Sequence, residues 1–257
     1  MRGRKGNLVV STPATAHTVE DFTRNLATVH TRIATAAKDA GRDPAEVRLL
    51  PVSKTVPEER LRTAVAAGLT RLGENKVQEA SRKATELADL GIEWSMIGHL
   101  QRNKAKHVAA FATEFQALDS LRLAEVLDRR LQALGRGLDV FVQVNTSAEP
   151  TKYGLAPEEV AAFVDRLPEF TALRVRGLMT LAEFTADIDR VRACFRRLRT
   201  LRDRLRQTAP DSVGLDELSM GMSGDYEVAI AEGATVVRVG QAIFGPRPTS
   251  DAYYWPS

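Results

Sequence analysis

Lys54 occupies a position at which a barrel enzyme presents a reactive amine. The short, branched and mostly apolar run 47–53 predicts a buried strand, and Lys54 follows at its C-terminal end. The next residues predict the start of a helix, with Thr55 or Val56 as the cap and Pro57 in the first turn. Burial and the positive ends of neighbouring helices both favour the neutral amine that a Schiff base requires. On this segment alone, the alternative is an exposed lysine in a strand-to-helix turn.

A loop with two glycines, residues 219–224, follows the seventh predicted strand and leads into a helix. Its glycines allow the backbone to approach a ligand closely, and the Ser223 hydroxyl can donate a hydrogen bond. The N-terminus of the following helix supplies free amides and a positive dipole end. The eighth predicted strand ends at Gly240. Loops seven and eight form the usual phosphate site of barrels, although a capped turn is the alternative for the first loop alone.

Arg238 lies within the eighth predicted strand, between Val237 and Val239. Period-two alternation directs Arg238 toward the barrel axis and the two valines toward the helices. An inward arginine is costly unless it is paired or serves a ligand. A buried ion pair, for example with Glu74, is therefore the alternative to a ligand contact.

The elements that must position these residues alternate along the chain. Short branched segments are separated by helical ones, which predicts parallel strands joined by crossover helices. Eight repeats favour an α/β fold with a single (β/α)8 barrel, preceded by a helix from Val19 to Ala40, and a doubly wound open sheet is the alternative. The predicted strands lie near residues 47–53, 69–72, 92–97, 114–118, 138–144, 172–178, 216–220 and 235–239. The helices between them lie near residues 57–67, 75–89, 101–111, 120–134, 157–167, 187–207 and 224–232. A polar or glycine-containing cluster follows every strand, so one pole of the barrel is suited to holding something polar.

Composition excludes several classes of function. The chain of 257 residues has a net charge of only +3, which is too small and too evenly spread to indicate nucleic acid. No segment approaches the roughly 20 apolar residues of a membrane span, and the N-terminus lacks a secretory apolar run. Its one cysteine, Cys194, excludes an intrachain disulfide and fits a reducing cytosol. We expect a cytoplasmic protein with a flexible tail (1–17), a barrel (18–248) and a C-terminal tail (249–257).

Metal binding and nucleic-acid binding are weaker hypotheses. The four histidines show no zinc-ligand spacing, and we expect no metal. The helix near 187–207 is rich in arginine, but its apolar positions form the stripe of an outer barrel helix. The arginines then fall mostly on the solvated face, so we expect no nucleic-acid partner.

Several motifs resemble, in combination and in order, those of the pyridoxal phosphate homeostasis proteins. The resemblance covers roughly residues 20–248 and implies the barrel of the alanine racemase N-terminal domain, with pyridoxal 5′-phosphate (PLP) as cofactor. The matching segments are Val52-Ser53-Lys54-Thr55, Gly73-Glu74-Asn75-Lys76-Val77-Gln78-Glu79, Ile97-Gly98-His99-Leu100-Gln101-Arg102-Asn103-Lys104, Val144-Asn145-Thr146-Ser147, Lys152-Tyr153-Gly154-Leu155, Arg176-Gly177-Leu178-Met179-Thr180, Leu218-Ser219-Met220-Gly221-Met222-Ser223 and the run 237–245.

The resemblance also implies a role for each matching residue. Lys54 is implied to form the internal aldimine with PLP, and Arg238 to contact the pyridine nitrogen. An arginine there keeps that nitrogen unprotonated, which weakens PLP as an electron sink and suits the barrel to holding PLP. The implied phosphate ligands are Ser223 and the backbone around Gly224 and Gly240, and the implied lining residues are Asn75 and Met220. The chain departs from the family at Gln241, where a threonine hydroxyl is expected, and this leaves the backbone contact at Gly240.

The resemblance therefore predicts a PLP-binding protein of intracellular vitamin B6 homeostasis that supplies apo PLP enzymes. No long apolar surface stripe stands out in the sequence, so we expect a monomer. A low-activity PLP-dependent amino-acid racemase is the alternative. Alanine racemase takes its second base from a separate β-domain, for which the short segment after the eighth strand leaves no room; Tyr253 or Tyr254 could supply a base by folding back. Lys76 and Lys152 are further lysines at which PLP could be held.

Overall fold

Eight parallel strands form a nearly closed barrel in the computed structural model, which describes residues 13–147, 149 and 152–246. The strands are β1 (Arg48–Pro51), β2 (Arg71–Glu74), β3 (Glu93–Met96), β4 (Glu114–Leu118), β5 (Leu138–Gln143), β6 (Leu173–Met179), β7 (Glu217–Met222) and β8 (Val236–Val239). They are hydrogen-bonded in the order β1-β8-β7-β6-β5-β4-β3-β2. The two ends of this order meet through a parallel bridge between Val52 and Gly73. The predicted α/β barrel is confirmed, and the open sheet is excluded.

Helices cover the outside of the barrel, because parallel neighbours must be joined by crossover connections. They are α1 (Val19–Asp39), α2 (Glu58–Ala66), α3 (Val77–Glu86), α4 (Ala105–Phe111), α5 (Leu121–Ala133), α6 (Val160–Arg166), α7 (Ile188–Leu205), α8 (Tyr226–Ala231) and α9 (Gln241–Phe244). Every predicted helix is present, and the short α9 is an addition. Among the described residues, no helix is both long enough and apolar enough to span a bilayer.

The start of α2 differs from the prediction. Pro57, not Thr55 or Val56, is the N-cap, with φ −63° and ψ 152°, and the helix begins at Glu58. A tight turn precedes it, in which the Val56 N–H donates to the Ser53 carbonyl at 3.0 Å. Thr55 has a φ of 66°, the one positive value at a non-glycine position among the described residues. The expected cap is therefore wrong, because Thr55 has a left-handed conformation within the tight turn that precedes the helix.

The N-terminal segment 13–17 packs on the barrel. Ala16 is 1% exposed, and its N–H donates to the Phe244 carbonyl at 3.4 Å. Arg60 of α2 donates to the Ala16 carbonyl at 2.8 Å and to the Phe244 carbonyl at 2.5 Å, and so joins this segment to α9. Ala16, which belongs to the predicted tail, therefore contacts the barrel. Outside the described residues lie the first twelve residues and the predicted tail 249–257 with Tyr253 and Tyr254.

Candidate functional site

The sequence-predicted site residues lie along one side of the C-terminal pole of the barrel. Lys54 follows β1, Asn75 follows β2, Met220, Ser223 and Gly224 come from the end of β7 and its loop, and Arg238 and Gly240 come from the end of β8. The strands β7, β8, β1 and β2 are consecutive around the barrel. Because the strands are parallel, all these residues reach the same pole, which is where barrel enzymes bind their ligands.

Lys54 is buried at this pole. Its exposed fraction is 8%, although it lies in a connection between a strand and a helix. The alternative of an exposed turn lysine is therefore wrong.

Arg238 lies inside the barrel, at 3% exposure. Its guanidinium donates to the Ser219 hydroxyl at 2.7 Å and to the Thr180 carbonyl at 2.8 Å. Burial lowers the pKa of Arg238 to about 10, and the nearby Asp225 opposes this shift. The side chain is thus a cation at neutral pH, bound to neutral oxygen atoms.

Glu74, considered as a partner for Arg238, is engaged elsewhere. Its Oε1 accepts hydrogen bonds at 2.7 Å from the Lys83 ammonium and from the Ser53 hydroxyl. Burial raises the pKa of Glu74, and the Lys83 charge opposes that shift. The suggested Arg238–Glu74 ion pair is wrong, since Lys83 of α3 is the cation that pairs with Glu74.

A polar chain continues from Arg238 through the barrel interior. The Ser219 hydroxyl donates to Gln116 Oε1 at 2.7 Å, and Gln116 Nε2 donates to Glu114 Oε1 at 2.7 Å. Because β7 and β4 are not neighbouring strands, the bond from Ser219 to Gln116 crosses the interior. Glu114 also accepts from Arg48 at 2.7 Å, at the opposite end of the strands. We call Arg238, Ser219, Gln116, Glu114 and Arg48 the polar axis.

The loops after β7 and β8 are joined by a hydrogen bond from the Gly240 N–H to the Ser223 hydroxyl, at 3.2 Å. A Cβ at Gly240 would lie 3.0 Å from the Val52 carbonyl oxygen, so a side chain there would press on the connection before Lys54. Gly224 is exposed and has open space around its Cα. The two loops therefore present backbone and hydroxyl groups side by side, which is the donor set that an anion requires.

The carboxyl group of Asp225 closes the first of these loops. Its Oδ1 accepts from the Met222 N–H at 2.5 Å. Burial raises the pKa of Asp225, whereas that hydrogen bond and the charge of Arg238 oppose the shift.

Two further predicted residues, Met220 and Asn75, belong to β7 and to the connection after β2. Met220 is fully buried at the end of β7. The Asn75 Oδ1 atom is buried and accepts no hydrogen bond within the described part of the chain. A buried polar atom without a partner is costly, so Asn75 has a free acceptor for a ligand. Gln241 lies close by, where it lines a cavity of ≈ 30 Å³ together with Lys54 and Arg60.

A second group of polar residues lies on the β3 and β4 side of the pole. His99 Nδ1 is 3.7 Å from Asp119 Oδ2, and the His99 ring stacks on Tyr153 with centroids 3.9 Å apart. Burial raises the pKa of Asp119, and the neighbouring His99 opposes the shift. Lys152 anchors its loop, because its ammonium donates to the Ala182 carbonyl at 3.0 Å and pairs with Glu149.

Three arginines of α7 form ion pairs with Glu232, the C-cap of the outer helix α8. Arg192, Arg196 and Arg199 surround Glu232, with N–O distances of 3.0, 3.2 and 3.4 Å. These contacts give three of the arginines a structural role that needs no nucleic acid. Among the described residues, no group of three His, Cys, Asp or Glu side chains is arranged to hold a metal ion.

Sequence reasoning missed Gln116 and Lys83. Gln116 follows Glu114 by two residues inside an otherwise apolar strand, so the two side chains share a face. That polar pair was a usable signal of a polar interior. Lys83 gave no such signal, because a lysine four residues after Glu79 on a helix is the pattern of an exposed ion pair.

Comparisons with known proteins agree with this geometry. The family described as "Alanine racemase, N-terminal domain" matches residues 11–248. A pyridoxal phosphate homeostasis protein of Pseudomonas aeruginosa is 47% identical over 223 residues, which are 87% of this chain and 94% of the relative. The protein of the same name from Escherichia coli is 38% identical over 235 residues, covering 90% and 99% of the two chains.

Solved structures extend the comparison. PipY of Synechococcus elongatus, solved with PLP bound, has a TM-score of 0.77 and 37% identity, and the match covers 87% of this chain and 100% of PipY. An alanine racemase of Clostridium difficile has a TM-score of 0.68 at 17% identity, covering 94% of this chain and 61% of the racemase. The racemase, at that identity, establishes a shared fold alone.

Proposed function

The chain belongs to the family of pyridoxal phosphate homeostasis proteins, and we propose from this that it holds PLP as a Schiff base on Lys54. Lys54 would hold PLP through a C=N bond between its amine and the aldehyde of the cofactor, with release of water. The observation that carries the proposal is the convergence of a buried lysine, a buried arginine and two linked glycine loops on four consecutive strands.

The residues present fit the cofactor group by group. The Ser223 hydroxyl and the backbone at Gly224 and Gly240 would bind the phosphate, and the Gly240 N–H would exchange its hydrogen bond to Ser223 for one to the phosphate. Arg238 would contact the pyridine nitrogen, and Asn75 and Met220 would line the ring. Gln241 lies beside the same loops, where the backbone of Gly240 supplies the contact.

Arg238 favours a role in PLP homeostasis over efficient catalysis. Bound PLP supplies an electron sink, which is strongest when its pyridine nitrogen is protonated. A guanidinium that is charged at neutral pH opposes protonation of that nitrogen. We therefore infer that the protein keeps the reactive aldehyde masked and supplies PLP to apo enzymes, as a monomer.

A low-activity amino-acid racemase is the second candidate. The observation that favours it is the His99–Asp119 pair, which supplies titratable groups at the same pole. PLP-loaded protein in D₂O with alanine distinguishes the two functions. If the protein is a carrier, the α-hydrogen of alanine exchanges no faster with the wild-type protein than with PLP and the Lys54→Ala variant. The activity that an added apo enzyme recovers is then proportional to the PLP content of the carrier. Rapid exchange that requires Lys54 would establish the racemase.

Titration with PLP tests the cofactor site itself. We expect a visible absorption band in the wild-type protein and its loss in Lys54→Ala. The far-ultraviolet circular dichroism, which reports the fold, should be the same in both proteins. Lys106→Ala is the matched control, because Lys106 is an exposed lysine on α4. A band that persists in Lys54→Ala would show that PLP is attached to another lysine, such as Lys76 or Lys152.

A further inference from the structure

We propose that Lys83, Glu74 and Glu79 form a positioning triad that fixes the direction of Lys54. The inference rests on the proposed PLP site and concerns residues outside it. Lys83 and Glu79 belong to α3, and Glu74 ends β2. None of the three is required to touch the cofactor.

The Lys83 ammonium lies at the centre of the triad and is fully buried. It donates to Glu74 Oε1 at 2.7 Å, to Glu79 Oε1 at 2.7 Å and to the Ser53 carbonyl at 2.9 Å. An ammonium group has three N–H donors, so all of them are used. One of the three bonds goes to the backbone of the residue immediately before Lys54.

The triad holds the residues on both sides of Lys54. Glu79 Oε1 accepts from the Thr55 N–H at 2.7 Å. The Ser53 hydroxyl donates to Glu74 Oε1 at 2.7 Å. Ser53 is thus fixed through its carbonyl and its hydroxyl, and Thr55 through its N–H. Because Lys54 lies between two fixed residues, the direction of its Cα–Cβ bond is fixed as well.

The backbone of this turn needs such support. Thr55 has a φ of 66°, a left-handed conformation that is strained for a β-branched residue. Strain of this kind persists when surrounding contacts hold it, and here Glu79 holds the Thr55 N–H. If the support were lost, the turn would relax and the Lys54 amine would move.

The residue types of the triad are better suited to orienting Lys54 than to attaching α3 to the barrel. A buried and a partly buried carboxylate around a fully buried ammonium carry a large desolvation cost, and apolar residues of similar size would attach α3 to the barrel as well. Glu74 Oε2 remains buried without a hydrogen-bond partner in the described part of the chain. The bonds of the triad instead converge on the turn that contains Lys54.

Lys83→Met tests the proposal, since methionine keeps an unbranched apolar side chain and removes the three donors. The readout is the rate at which added PLP is trapped on Lys54 by borohydride, measured by mass spectrometry on protein whose fold is checked by circular dichroism. We expect trapping on the order of 10-fold slower, because small displacements of a reacting group have large effects. Lys106→Met, on the exposed face of α4, is the control and keeps the wild-type rate.

A pair of variants at Glu79 separates positioning from general stability. Glu79→Gln retains an acceptor for the Thr55 N–H and keeps trapping near the wild-type rate, whereas Glu79→Leu slows it as Lys83→Met does. Adding Thr55→Gly to Glu79→Leu restores part of the rate, because glycine adopts the left-handed conformation without strain. A loss of stability alone would not be rescued in this way.

The outcomes distinguish failure of the two proposals. If wild-type protein traps no PLP on Lys54, the proposed PLP site fails. If wild-type protein traps PLP and folded Lys83→Met does so at the same rate, the positioning triad is overturned. If Lys83→Met does not fold, equal rates for Glu79→Gln and Glu79→Leu overturn it.

Discussion

At the scale of single residues, the environment of Arg238 decides what the site can do. Its guanidinium is held by the neutral oxygens of Ser219 and Thr180, while Asp225 acts on it through its charge. This arrangement leaves a buried positive charge that a ligand can meet. A cation in that position suits the unprotonated form of a pyridine nitrogen.

Replacement of Arg238 changes the electronic properties of bound PLP. Arg238→Glu places a carboxylate against the ring nitrogen and allows it to be protonated, so we expect the absorption maximum of bound PLP to shift. Arg238→Gln is the control, because it removes the cation without adding an anion and produces a smaller shift. If Arg238→Glu binds PLP with the wild-type spectrum, Arg238 does not contact the pyridine nitrogen.

Asp225 makes stability depend on pH in a defined direction. Burial raises its pKa above the ordinary value of 3.8, so the unfolded chain loses this proton more readily than the folded one. Its contribution to stability therefore falls as the pH rises from 3.8 through the folded pKa. Asp225→Asn keeps the acceptor for the Met222 N–H and gains most over wild type at high pH.

Urea unfolding of the cofactor-free protein from pH 4 to pH 8 measures this gain. Asp89→Asn is a control of opposite sign, since hydrogen bonding to Arg62 lowers the pKa of Asp89. A gain for Asp225→Asn that does not grow with pH would show that burial does not govern this carboxyl group.

Single residues were predictable where the strand pattern determined which face of the strand they occupy and which end of the strand they lie at. Lys54 and Arg238 were expected at the buried pole, because one ends a strand and the other alternates with valines. Lys83 was not, since a buried lysine and an exposed one look alike at the same helical spacing. Its burial depends on where Glu74 and the Lys54 turn lie in three dimensions, which sequence spacing does not contain.

At the scale of elements, β4 and β7 are coupled through the barrel by the polar axis. Gln116 accepts from Ser219 and donates to Glu114, so it connects Arg238 at one pole with Arg48 at the other. Barrel interiors are usually filled by branched apolar side chains. Here a continuous hydrogen-bonded path replaces part of that filling and orients Arg238.

Gln116→Leu interrupts this path. The Ser219 hydroxyl and Glu114 each lose a partner, and leaving buried polar groups unpaired costs about 1–3 kcal/mol of the free energy of unfolding. Chemical denaturation measures that loss. Gln78→Leu, at an exposed position of α3, is the control, with an expected change within about 0.5 kcal/mol. Equal stability of the two variants would contradict a structural role for the polar axis.

Elements were predictable because eight branched segments alternate with amphipathic ones, and this pattern admits few topologies. The turn before α2 was not predictable. A threonine before a valine and a proline suggests a helix cap, and the left-handed Thr55 depends on Glu79 of a different helix. The polar axis was hidden for the same reason, because its bonds join strands that are distant in the chain.

At the scale of the whole molecule, Arg60 holds the two ends of the barrel domain together. It donates to the carbonyls of Ala16 and Phe244, and the Ala16 N–H also donates to Phe244. The same arginine lines the small cavity beside Lys54 and Gly240. The contacts that join Ala16 to Phe244 thus lie next to the candidate cofactor site.

Arg60→Ala loosens this closure. Two buried carbonyls lose a charged donor, and a hydrogen bond to a charged group contributes about 1.5–3 kcal/mol. Because Arg60 is partly exposed, we expect a total loss of only about 2 kcal/mol in the free energy of unfolding. Amide hydrogen exchange at Ala16 should accelerate as well. Arg62→Ala is the matched control on the same helix, because its ion pair with Asp89 is exposed and screened by solvent and therefore contributes little to stability. Unchanged exchange at Ala16 in Arg60→Ala would contradict the proposed closure.

The central claim is that Lys54 holds PLP, and borohydride reduction followed by peptide mapping tests it most directly. Purified protein is loaded with PLP, reduced, digested and searched for the phosphopyridoxyl group. We predict that the group lies on Lys54, that the visible band disappears on reduction and that Lys106→Ala behaves as wild type. A modification distributed over exposed lysines, or its absence from the peptide that contains Lys54, would contradict the account.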